Sequence, residues 1–581
     1  MSLLDTASLI VTPNGYKEGK LYSVIPSDGS GDMSVVRATT ATRVNSAGLV
    51  ELVPYNLLTW SEDFTNAAWV ATNATVTSNV IVSPSGVQNA DLLQSIDTNA
   101  PRIRQTTTQT GNNVFTFSCF AKKGNVNFLI LRNIAVNVGG GSRAWFNLDT
   151  GVVGTVNAGL TASIESVGSG WYRCSISGTT DSSPLNLIDI ALSATDNTFT
   201  GAANENIYLW GAQLVEGSTA KDYQKTETRL NIPRLDYSNG TCPSLLVEPQ
   251  RTNLLTYSSS FDNAAWTKVP LGGTALTTVV TANDTISPSG IQDADKIFMS
   301  LGGGTTTSDW ARLQSQTFNQ TSGTSYTISF WAWASQSSEV GKIVRVGIGG
   351  NTALLDFTLT ATATRFIVTY TAAATGTDSL LFQLRGAQGL ASTAEFYLWG
   401  AQLEAGAYPT SYIPTTSASV TRNADVISKT GISSLIGQTE GVLFLDLFAS
   451  AKNNDANTFG TWIFAGDAAE NLQIYNLGTT LYWYARNTGG IIIDQTANET
   501  LVEGTRYKIA YAYKSGDYAL YINGVQKRTS ANANVPVAVS QFNLSAGTFG
   551  ASPVIVKNEY NSVVLFPTRL TNAQLATLTT I

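Results

Sequence analysis

The sequence contains no histidine, and this absence removes several kinds of enzyme site at once. Ser-His-Asp and Cys-His nucleophile systems, histidine general acids and bases, and histidine-ligated zinc all need the imidazole group. The three cysteines, Cys119, Cys174 and Cys242, are scattered, so a thiolate metal site is not expected either. We therefore expect a protein that is not an enzyme, with no catalytic residue, no metal ligand and no cofactor.

Cysteine is also too scarce for a disulfide framework. The N-terminal sequence lacks the basic start and apolar run of a secretory signal, which predicts synthesis and assembly in a reducing cytoplasm. Cys119 and Cys174 both fall in strand-like runs and could meet across a sandwich. We expect them to be buried free thiols, with a bridge as the alternative.

Charge is scarce as well, because Asp, Glu, Lys and Arg make up 13% of the chain and the net charge is −7. With no basic cluster, this balance predicts no nucleic-acid partner. No apolar run approaches the length that crosses a bilayer, so no membrane insertion is expected. The 43% hydrophobic content, with 12 Trp, 22 Tyr and 22 Phe, favours packed cores over disorder.

What the sequence does contain is a repeat. NLLTWSEDFTNAAW (Asn56–Trp69) returns as NLLTYSSSFDNAAW (Asn253–Trp266), and both copies later reach YLWGAQL (Tyr208–Leu214 and Tyr397–Leu403). Duplicated ends of a long unit indicate modular construction. The shared residues are expected to form the scaffold, and the divergent interior is where recognition would lie.

The repeat and the composition boundaries predict five segments. We assign residues 1–50 to a head segment, 51–229 to the first repeat, 230–251 to a connector, 252–425 to the second repeat and 426–581 to a final domain. Pro233, Pro243 and Pro249 favour an extended connector.

Short strands between Gly, Asn and Pro turns predict an all-β fold. We expect each repeat to be an antiparallel β-sandwich, and the final domain to consist of strands joined by hairpins. Several runs of that domain alternate with period two, as in RYKIAYAY (Arg506–Tyr513). Thr571 three residues before Gln574 is a capping-box pattern, which predicts one short closing helix.

The motifs RLDYSNGTCPSLLVEPQRTNLLTYS and FYLWGAQLEAGAYPTSYIPT (Phe396–Thr415) resemble those of tailed-bacteriophage virion appendages of the tail-fibre and head-fibre type. The opening of each repeat is similar to jelly-roll carbohydrate-binding modules, and the YKIAYAYKSGDYALYINGV hairpin is similar to concanavalin/laminin-G domains. The resemblance implies a particle component that attaches through residues 1–50. It also implies jelly-roll repeats and a lectin-like β-sandwich as the final domain, and families of these two kinds commonly hold glycans.

Aromatic residues are the candidate glycan contacts. Phe64, Trp69, Phe261, Trp266, Trp210 and Trp399 recur at matched positions, where core packing is expected, with a sugar platform as the alternative. The better candidates for carbohydrate binding lack a counterpart in the other repeat or lie near predicted turns. They are Trp310, Trp462 and Tyr475, with core packing as the alternative.

The acidic residues do not form a duplicated catalytic pair. Glu62 is replaced by Ser259, and Glu216 and Glu404 are one residue out of step, which places them on opposite faces of a strand. Asp91 and Asp295 are expected to cap turns, with calcium binding as the alternative.

The sequence therefore predicts a structural protein of a tailed-bacteriophage virion, a fibre or adhesin that contacts host surface polysaccharide. The alternatives are a capsid- or tail-decorating protein without glycan binding, and a capsule depolymerase. Expected partners are itself, as a homotrimer implied by the resemblance, other phage virion proteins and a host cell-surface glycan. The expected location is the virion, assembled in the bacterial host cytoplasm and exposed on the particle surface.

Overall fold

In a computed structural model of the chain, the structure describes residues 3–108, 113–133, 142–181, 185–271, 274–349, 352–449, 459–545 and 554–581. Their regular structure is almost wholly β-sheet, which confirms the predicted all-β class. The chain forms two compact units, one of Val53–Arg229 and one of Met1–Leu52 with Leu230–Ile581.

A short 3₁₀ helix (Leu3–Thr6) precedes the first strands, which are β1 (Leu9–Lys17), β2 (Lys20–Ile25), β3 (Met33–Val36), β4 (Ala41–Val44) and β5 (Val50–Val53). The strands of the first repeat are β6 (Val70–Thr72), β7 (Ala74–Val82), β8 (Gln88–Ser95), β9 (Arg102–Thr108), β10 (Val114–Lys123), β11 (Phe128–Asn133), β12 (Ser142–Asn147), β13 (Val152–Val156), β14 (Thr161–Gly168), β15 (Trp171–Thr179), β16 (Leu185–Ser193) and β17 (Asn206–Glu216).

The connector contributes β18 (Arg234–Asp236), β19 (Ser244–Val247) and β20 (Arg251–Asn253). The second repeat has β21 (Thr267–Leu271), β22 (Val279–Thr285), β23 (Ala294–Ser300), β24 (Trp310–Gln320), β25 (Ser325–Ala334), a 3₁₀ turn (Ser337–Glu339), β26 (Ile343–Ile348), β27 (Thr352–Thr358), β28 (Thr364–Thr371), β29 (Gly376–Arg385), β30 (Thr393–Ala405) and β31 (Val420–Arg422).

The final domain has β32 (Val426–Thr430), β33 (Glu440–Ala449), β34 (Phe459–Gly466), β35 (Asn471–Leu477), β36 (Thr480–Asn487), β37 (Gly490–Thr500), β38 (Thr505–Lys514), β39 (Tyr518–Ile522), β40 (Val525–Ser530), β41 (Gln541–Asn543), β42 (Val554–Ile555), β43 (Asn558–Phe566) and the helix α1 (Asn572–Thr579). The Thr571–Gln574 capping box is present at the start of α1, which confirms that prediction.

The first repeat is a sandwich of two six-stranded sheets, ordered β14-β15-β10-β17-β8-β7 and β13-β12-β11-β16-β9-β6. Apolar side chains from both sheets, among them Phe117, Leu131 and Leu209, are completely buried between the layers. This packing arises because alternate residues of each strand point to the opposite sheet.

Cys119 and Cys174 are buried free thiols, as predicted. They face each other on the neighbouring strands β10 and β15, and therefore within one sheet rather than across the sandwich. Burial raises the pKa of both thiols well above the ordinary value, so both are held in the neutral form.

The second repeat is a sandwich of two five-stranded sheets, ordered β21-β24-β29-β26-β27 and β22-β23-β30-β25-β28. The predicted core aromatics of both repeats are confirmed, because Phe64, Trp69, Phe261 and Trp266 are at most 4% exposed. In each repeat the phenylalanine and the tryptophan meet edge to face, with ring centroids 5.1 Å and 4.9 Å apart. Trp210 and Trp399 are also buried.

A buried asparagine closes each repeat in the same way. The amide of Asn56 donates to the carbonyls of Ala212 and Gln224, and its oxygen accepts from the backbone of Leu58 and Leu214. Asn253 repeats this pattern of two donated and two accepted bonds in the second repeat. The asparagine at the start of each NLLT motif is therefore a scaffold residue.

The strands of the head segment are part of the same sheet system as the final domain. Leu9 on β1 pairs with Leu565 on β43, and Val35 on β3 pairs with Ile427 on β32. Leu245 of the connector lies on β19, which pairs with the N-terminal part of β43. These strands add Leu9, Val35 and Leu245 to the core of the final sandwich.

Five charged side chains from distant parts of the sequence form a buried ion cluster in this unit, namely Arg37, Arg234, Glu248, Arg422 and Asp425, each at most 2% exposed at its side chain. Arg37 donates to Asp425 (Nη1–Oδ1 2.6 Å), and Arg234 donates to both carboxylates, at 2.7 Å from Glu248. Arg422 donates to Glu248.

Burial by itself raises the pKa of a carboxyl group, but in this cluster the arginine charges outweigh it. Arg422 and Arg234 hold the pKa of Glu248 well below its usual range, and Arg234 and Arg37 lower that of Asp425. Ser411 also donates its N–H (2.8 Å) and hydroxyl (2.7 Å) to Glu248. Glu248 of the connector motif and Ser411 of the motif that ends the second repeat are therefore in direct contact inside this unit.

Candidate functional site

Of the three aromatic residues predicted as glycan contacts, Trp310 alone is partly exposed. Trp462 is 1% exposed, lies in the core of the final sandwich and donates its indole N–H to Asn476 (3.1 Å). Tyr475 is 3% exposed and donates its hydroxyl to Asp494 (3.0 Å). A covered ring cannot stack on a glycan, so the candidate set is corrected to Trp310.

Trp310 begins β24 on the outer face of the second repeat. Its strand neighbours Ala311 and Leu313 are completely buried in the core, so Trp310 and Arg312 point to the opposite side of the sheet. The guanidinium carbon of Arg312 lies 3.2 Å from the centre of the Trp310 ring. The guanidinium carbon of Arg385 also lies over the ring, 5.8 Å from its centre, so two arginines flank an indole that is still partly exposed.

A row of polar side chains crosses the same outer face beside Trp310. Strand pairing aligns Arg312, Gln383, Arg345 and Asp356 on β24, β29, β26 and β27. Arg312 donates to Gln383 (Nε–Oε1 2.9 Å), and Arg345 binds Asp356 through two bonds of 2.6 Å and 2.8 Å. These bonds fix the side chains, so the face is organised before any ligand arrives.

The charges of this face are predominantly positive. Burial, assisted by the nearby charge of Arg385, lowers the pKa of Arg312 to about 10, which still leaves it charged at neutral pH. The hydrogen bond with Asp356 raises the pKa of Arg345. Three guanidinium groups therefore stand beside one carboxylate, and the face suits a ligand that offers acceptor oxygens.

The predicted turn caps are confirmed. Asp91 accepts the backbone N–H groups of Phe64 and Asn79, each at 2.9 Å. Asp295 accepts those of Phe261 (2.6 Å) and Asn283 (2.9 Å), and burial raises its pKa to about 6. Among the described residues, no group of three or more Cys, Asp or Glu side chains is placed to hold a metal ion.

The predicted offset of the two glutamates is also confirmed. Glu404 pairs with Thr327 and is completely buried, where it accepts two bonds of 2.7 Å from Thr410. Glu216 pairs with Phe115, one position further along the equivalent strand, and is partly exposed. The two carboxylates therefore have different environments.

A polar cleft of about 220 Å³ in the first repeat brings together Trp60, Glu62, Asp91 and Glu227. Sequence reasoning named Glu62 and Asp91 separately and had no signal that places them side by side. Glu62 accepts from Asn89 (3.1 Å) and lies 3.4 Å from the ammonium of Lys225. The two named carboxylates are thus engaged by groups of the repeat itself.

The fold defines a protein of tandem β-sandwich modules. No family model matches the sequence, and no curated protein matches it. Within the described residues, no helix is long and apolar enough to span a membrane.

Several solved structures match the chain at low sequence identity and low TM-score. The N-terminal CBM22-1-CBM22-2 tandem domain of Paenibacillus barcinonensis Xyn10C is 12% identical and covers 60% of this chain and 97% of its own, with a TM-score of 0.23. The Ruminococcus gnavus IT-sialidase CBM40, bound to α2,3 sialyllactose, is 12% identical over 26% of this chain and 91% of its own, with a TM-score of 0.23. Domain 4 of the Geobacillus stearothermophilus arabinanase AbnA, in complex with arabinotriose, is 15% identical over 30% of this chain and 82% of its own, with a TM-score of 0.23. At these scores the similarities do not assign a function.

Proposed function

We propose that this chain is a non-catalytic virion protein of a tailed bacteriophage, a fibre or adhesin that binds host surface polysaccharide. The observation that carries the glycan-binding part is the partly exposed Trp310 beside a fixed row of polar side chains on the outer face of the second repeat. The phage origin rests on the resemblance of the motifs around the connector and the second repeat.

The proposed contact combines an apolar surface with directed hydrogen bonding. The uncovered part of the indole packs against the C–H face of a sugar ring, and the partly exposed Arg385 and Gln314 donate to its hydroxyl oxygens. Gln383, Arg312 and Arg345 form the floor of the site. Because their own hydrogen bonds hold them in place, little side-chain entropy is lost on binding.

One shallow site binds a polysaccharide weakly, and the proposed mechanism overcomes this through multiplicity. In the proposed homotrimer, with the head segment attached to other virion proteins, several sites act on one polymer. Each further contact is then intramolecular, which raises avidity without any new type of interaction.

The test is retention of the purified full chain on host cells and on polysaccharide extracted from them. Retention that is lost when the polysaccharide is stripped from the cells is the expected result. Absence of retention on every susceptible strain would contradict the proposal. Release of reducing sugar from the same extract would instead favour a depolymerase, and stoichiometric placement on the particle without glycan retention would favour a decorating protein.

A further inference from the structure

Four arginines and one aspartate form a cluster on the outer face of the first-repeat sheet. We call the set of Arg102, Arg104, Arg132, Arg143 and Asp189 the arginine face. Strand pairing places Arg104, Asp189, Arg132 and Arg143 in one row across β9, β16, β11 and β12. Arg102 stands two residues from Arg104 and therefore on the same side of β9.

Asp189 is the shared counter-charge of this face. It is completely buried and accepts two bonds from Arg104 (2.6 Å and 2.9 Å) and one from Arg132 (3.3 Å), while the Nε of Arg102 lies 3.9 Å away. Among the described residues, no other carboxylate lies within 4.0 Å of any of the four guanidinium groups. One negative charge thus faces four positive charges.

This imbalance holds among the described residues, and the undescribed segments within the first repeat, residues 109–112, 134–141 and 182–184, contain no Asp or Glu. The excess of three positive charges is therefore a property of the face. It is notable in a chain whose net charge is −7.

Several hydrogen-bond donors of this face have no acceptor. The Nε atoms of Arg102, Arg132 and Arg143 have none among the described residues. The guanidinium of Arg143 instead lies over the ring of Phe199, 4.3 Å from its centre. These Nε atoms are buried, so the groups that can bind a planar anion are the terminal Nη groups, which stacking leaves in the plane of the guanidinium.

Folding alone does not explain this arrangement. Burial lowers the pKa of Arg132, and the charge of Arg143 lowers it further. Like charges held together in a partly buried site repel each other, and an anion would relieve that repulsion. Arg132 and Arg143 do pack over the ring of Phe199, but that contact needs no net charge.

We propose that the arginine face binds the carboxylate groups of an acidic saccharide. A carboxylate accepts two parallel bonds from one guanidinium, and four guanidinium groups in a row can hold successive charged sugars. The partly exposed ring of Phe128 borders the face and supplies apolar surface for a sugar ring. The inference rests on the proposed function only in taking the ligand to be a saccharide.

The second repeat carries an arginine at an equivalent position. Arg102 pairs with Thr72, which stands three residues after Trp69, and Arg312 pairs with Val269, three residues after Trp266. The other charged residues of the two faces differ. The repeats therefore share the sheet and one arginine, and they present different recognition surfaces.

The experiment measures binding of the full chain to two carboxylated probes, a galacturonate octamer and a hyaluronan octasaccharide. Their methyl esters, which keep the sugar and remove the charge, serve as controls. We expect binding of at least one acid form, at least about tenfold weaker binding of its ester, and weakening by added salt. Failure of both acids to bind, or equal binding of the esters, would overturn the proposal.

Variants locate the site. The double substitution Arg132→Gln with Arg143→Gln is expected to weaken binding about tenfold or more. The control is Lys123→Gln, which removes a charge from an exposed pair with Asp149 and is expected to leave the affinity within about twofold of the parent chain. Arg143→Lys keeps the charge without the planar fork and is expected to weaken binding partially. Unchanged binding by the double variant, with an unchanged melting temperature, would exclude this face.

Two further measurements test whether the ligand is a saccharide or a small anion, and whether the arginine face binds independently of Trp310. Inorganic phosphate or sulfate that displaces the octamer at equal molar concentration would indicate a small-anion site and overturn the saccharide assignment. Trp310→Ala is expected to retain octamer binding by the arginine face. A chain that binds the octamer through this face and is not retained on any host cell would refute the proposed function alone.

Discussion

Arg312 stacks on Trp310, with the guanidinium carbon 3.2 Å from the ring centre. The two residues are neighbours on one face because side chains two apart on a strand point the same way. The stack holds the indole in one orientation, and Gln383 in turn holds Arg312. A partly exposed aromatic ring that is fixed in this way is suited to recognition, because binding does not have to order it.

Replacing Trp310 is therefore expected to weaken glycan retention. Trp310→Ala should lower affinity for host polysaccharide by about tenfold or more, the effect of removing a central aromatic contact. Affinity electrophoresis of the full chain in gels that contain the extracted polysaccharide measures the change.

The matched control is Tyr22→Ala, which removes an exposed aromatic from β2, a strand outside this sheet. It should leave migration unchanged. If Trp310→Ala behaves like the control while its melting temperature is also unchanged, Trp310 is not part of the binding surface. Trp310→Phe, which keeps an aromatic ring, should retain an intermediate affinity.

The buried ion cluster should be critical for stability. Glu248→Gln leaves Arg234 and Arg422 buried with too little negative charge, and we expect a loss of about 3–5 kcal/mol in the free energy of unfolding. Urea unfolding followed by tryptophan fluorescence measures it.

Glu440→Gln is the control for that measurement, because Glu440 pairs with the exposed Lys514 at 3.3 Å. Exposed pairs of this kind contribute about 1 kcal/mol or less. Equal effects of the two substitutions would show that the buried cluster has no special role.

The same cluster predicts an acid dependence of stability. The folded-state pKa values of Glu248 and Asp425 lie below their ordinary values of 4.5 and 3.8. A lowered carboxyl pKa stabilises the folded state above the ordinary value, and that contribution is lost as the pH falls through the folded-state pKa.

We therefore expect the urea midpoint of the unit that contains the cluster to fall as the pH decreases below about 4.5, the ordinary value of glutamate. In Glu248→Gln the slope in this range should be smaller, because one of the two groups no longer titrates. An identical slope in the variant and the parent would rule out Glu248 as a source of the acid dependence.

The three thiols should differ in reactivity. Cys119 and Cys174 are buried and Cys242 is exposed. Because burial raises the pKa of the first two thiols, they carry almost no thiolate at neutral pH. A colorimetric thiol reagent should detect one fast thiol in the folded chain and three in denaturant. Cys242→Ser should abolish the fast reaction, and fast labelling that persists in this variant would contradict the burial of the pair.

The local features of the fold could be predicted because they depend on short-range patterns. The period-two alternation of Arg506–Tyr513 gives a strand, and Thr571 with Gln574 gives a helix start. The duplicated Phe64 and Phe261 mark core positions of two modules that fold in the same way. The opposite faces of Glu216 and Glu404 follow from counting residues along a strand.

The candidate site was only partly predictable. Alternation tells which side chains share a face of a strand, but it does not tell which faces another sheet will cover. Trp462 and Tyr475 are candidate glycan contacts by their position near predicted turns, and the fold buries both. No sequence pattern indicated the arginine face, because Arg104, Arg132 and Asp189 are far apart in the sequence and meet only through strand pairing.

The sequence by itself determined the all-β class, the duplicated modules and the closing helix, since each depends on local pattern or composition. The tertiary structure decided that Leu9 pairs with Leu565, that Glu248 is enclosed by arginines, and that Arg132 and Arg143 stand beside one buried carboxylate. Such contacts join residues separated by tens to hundreds of positions, and the pairing order of the strands, rather than any local preference, brings them together.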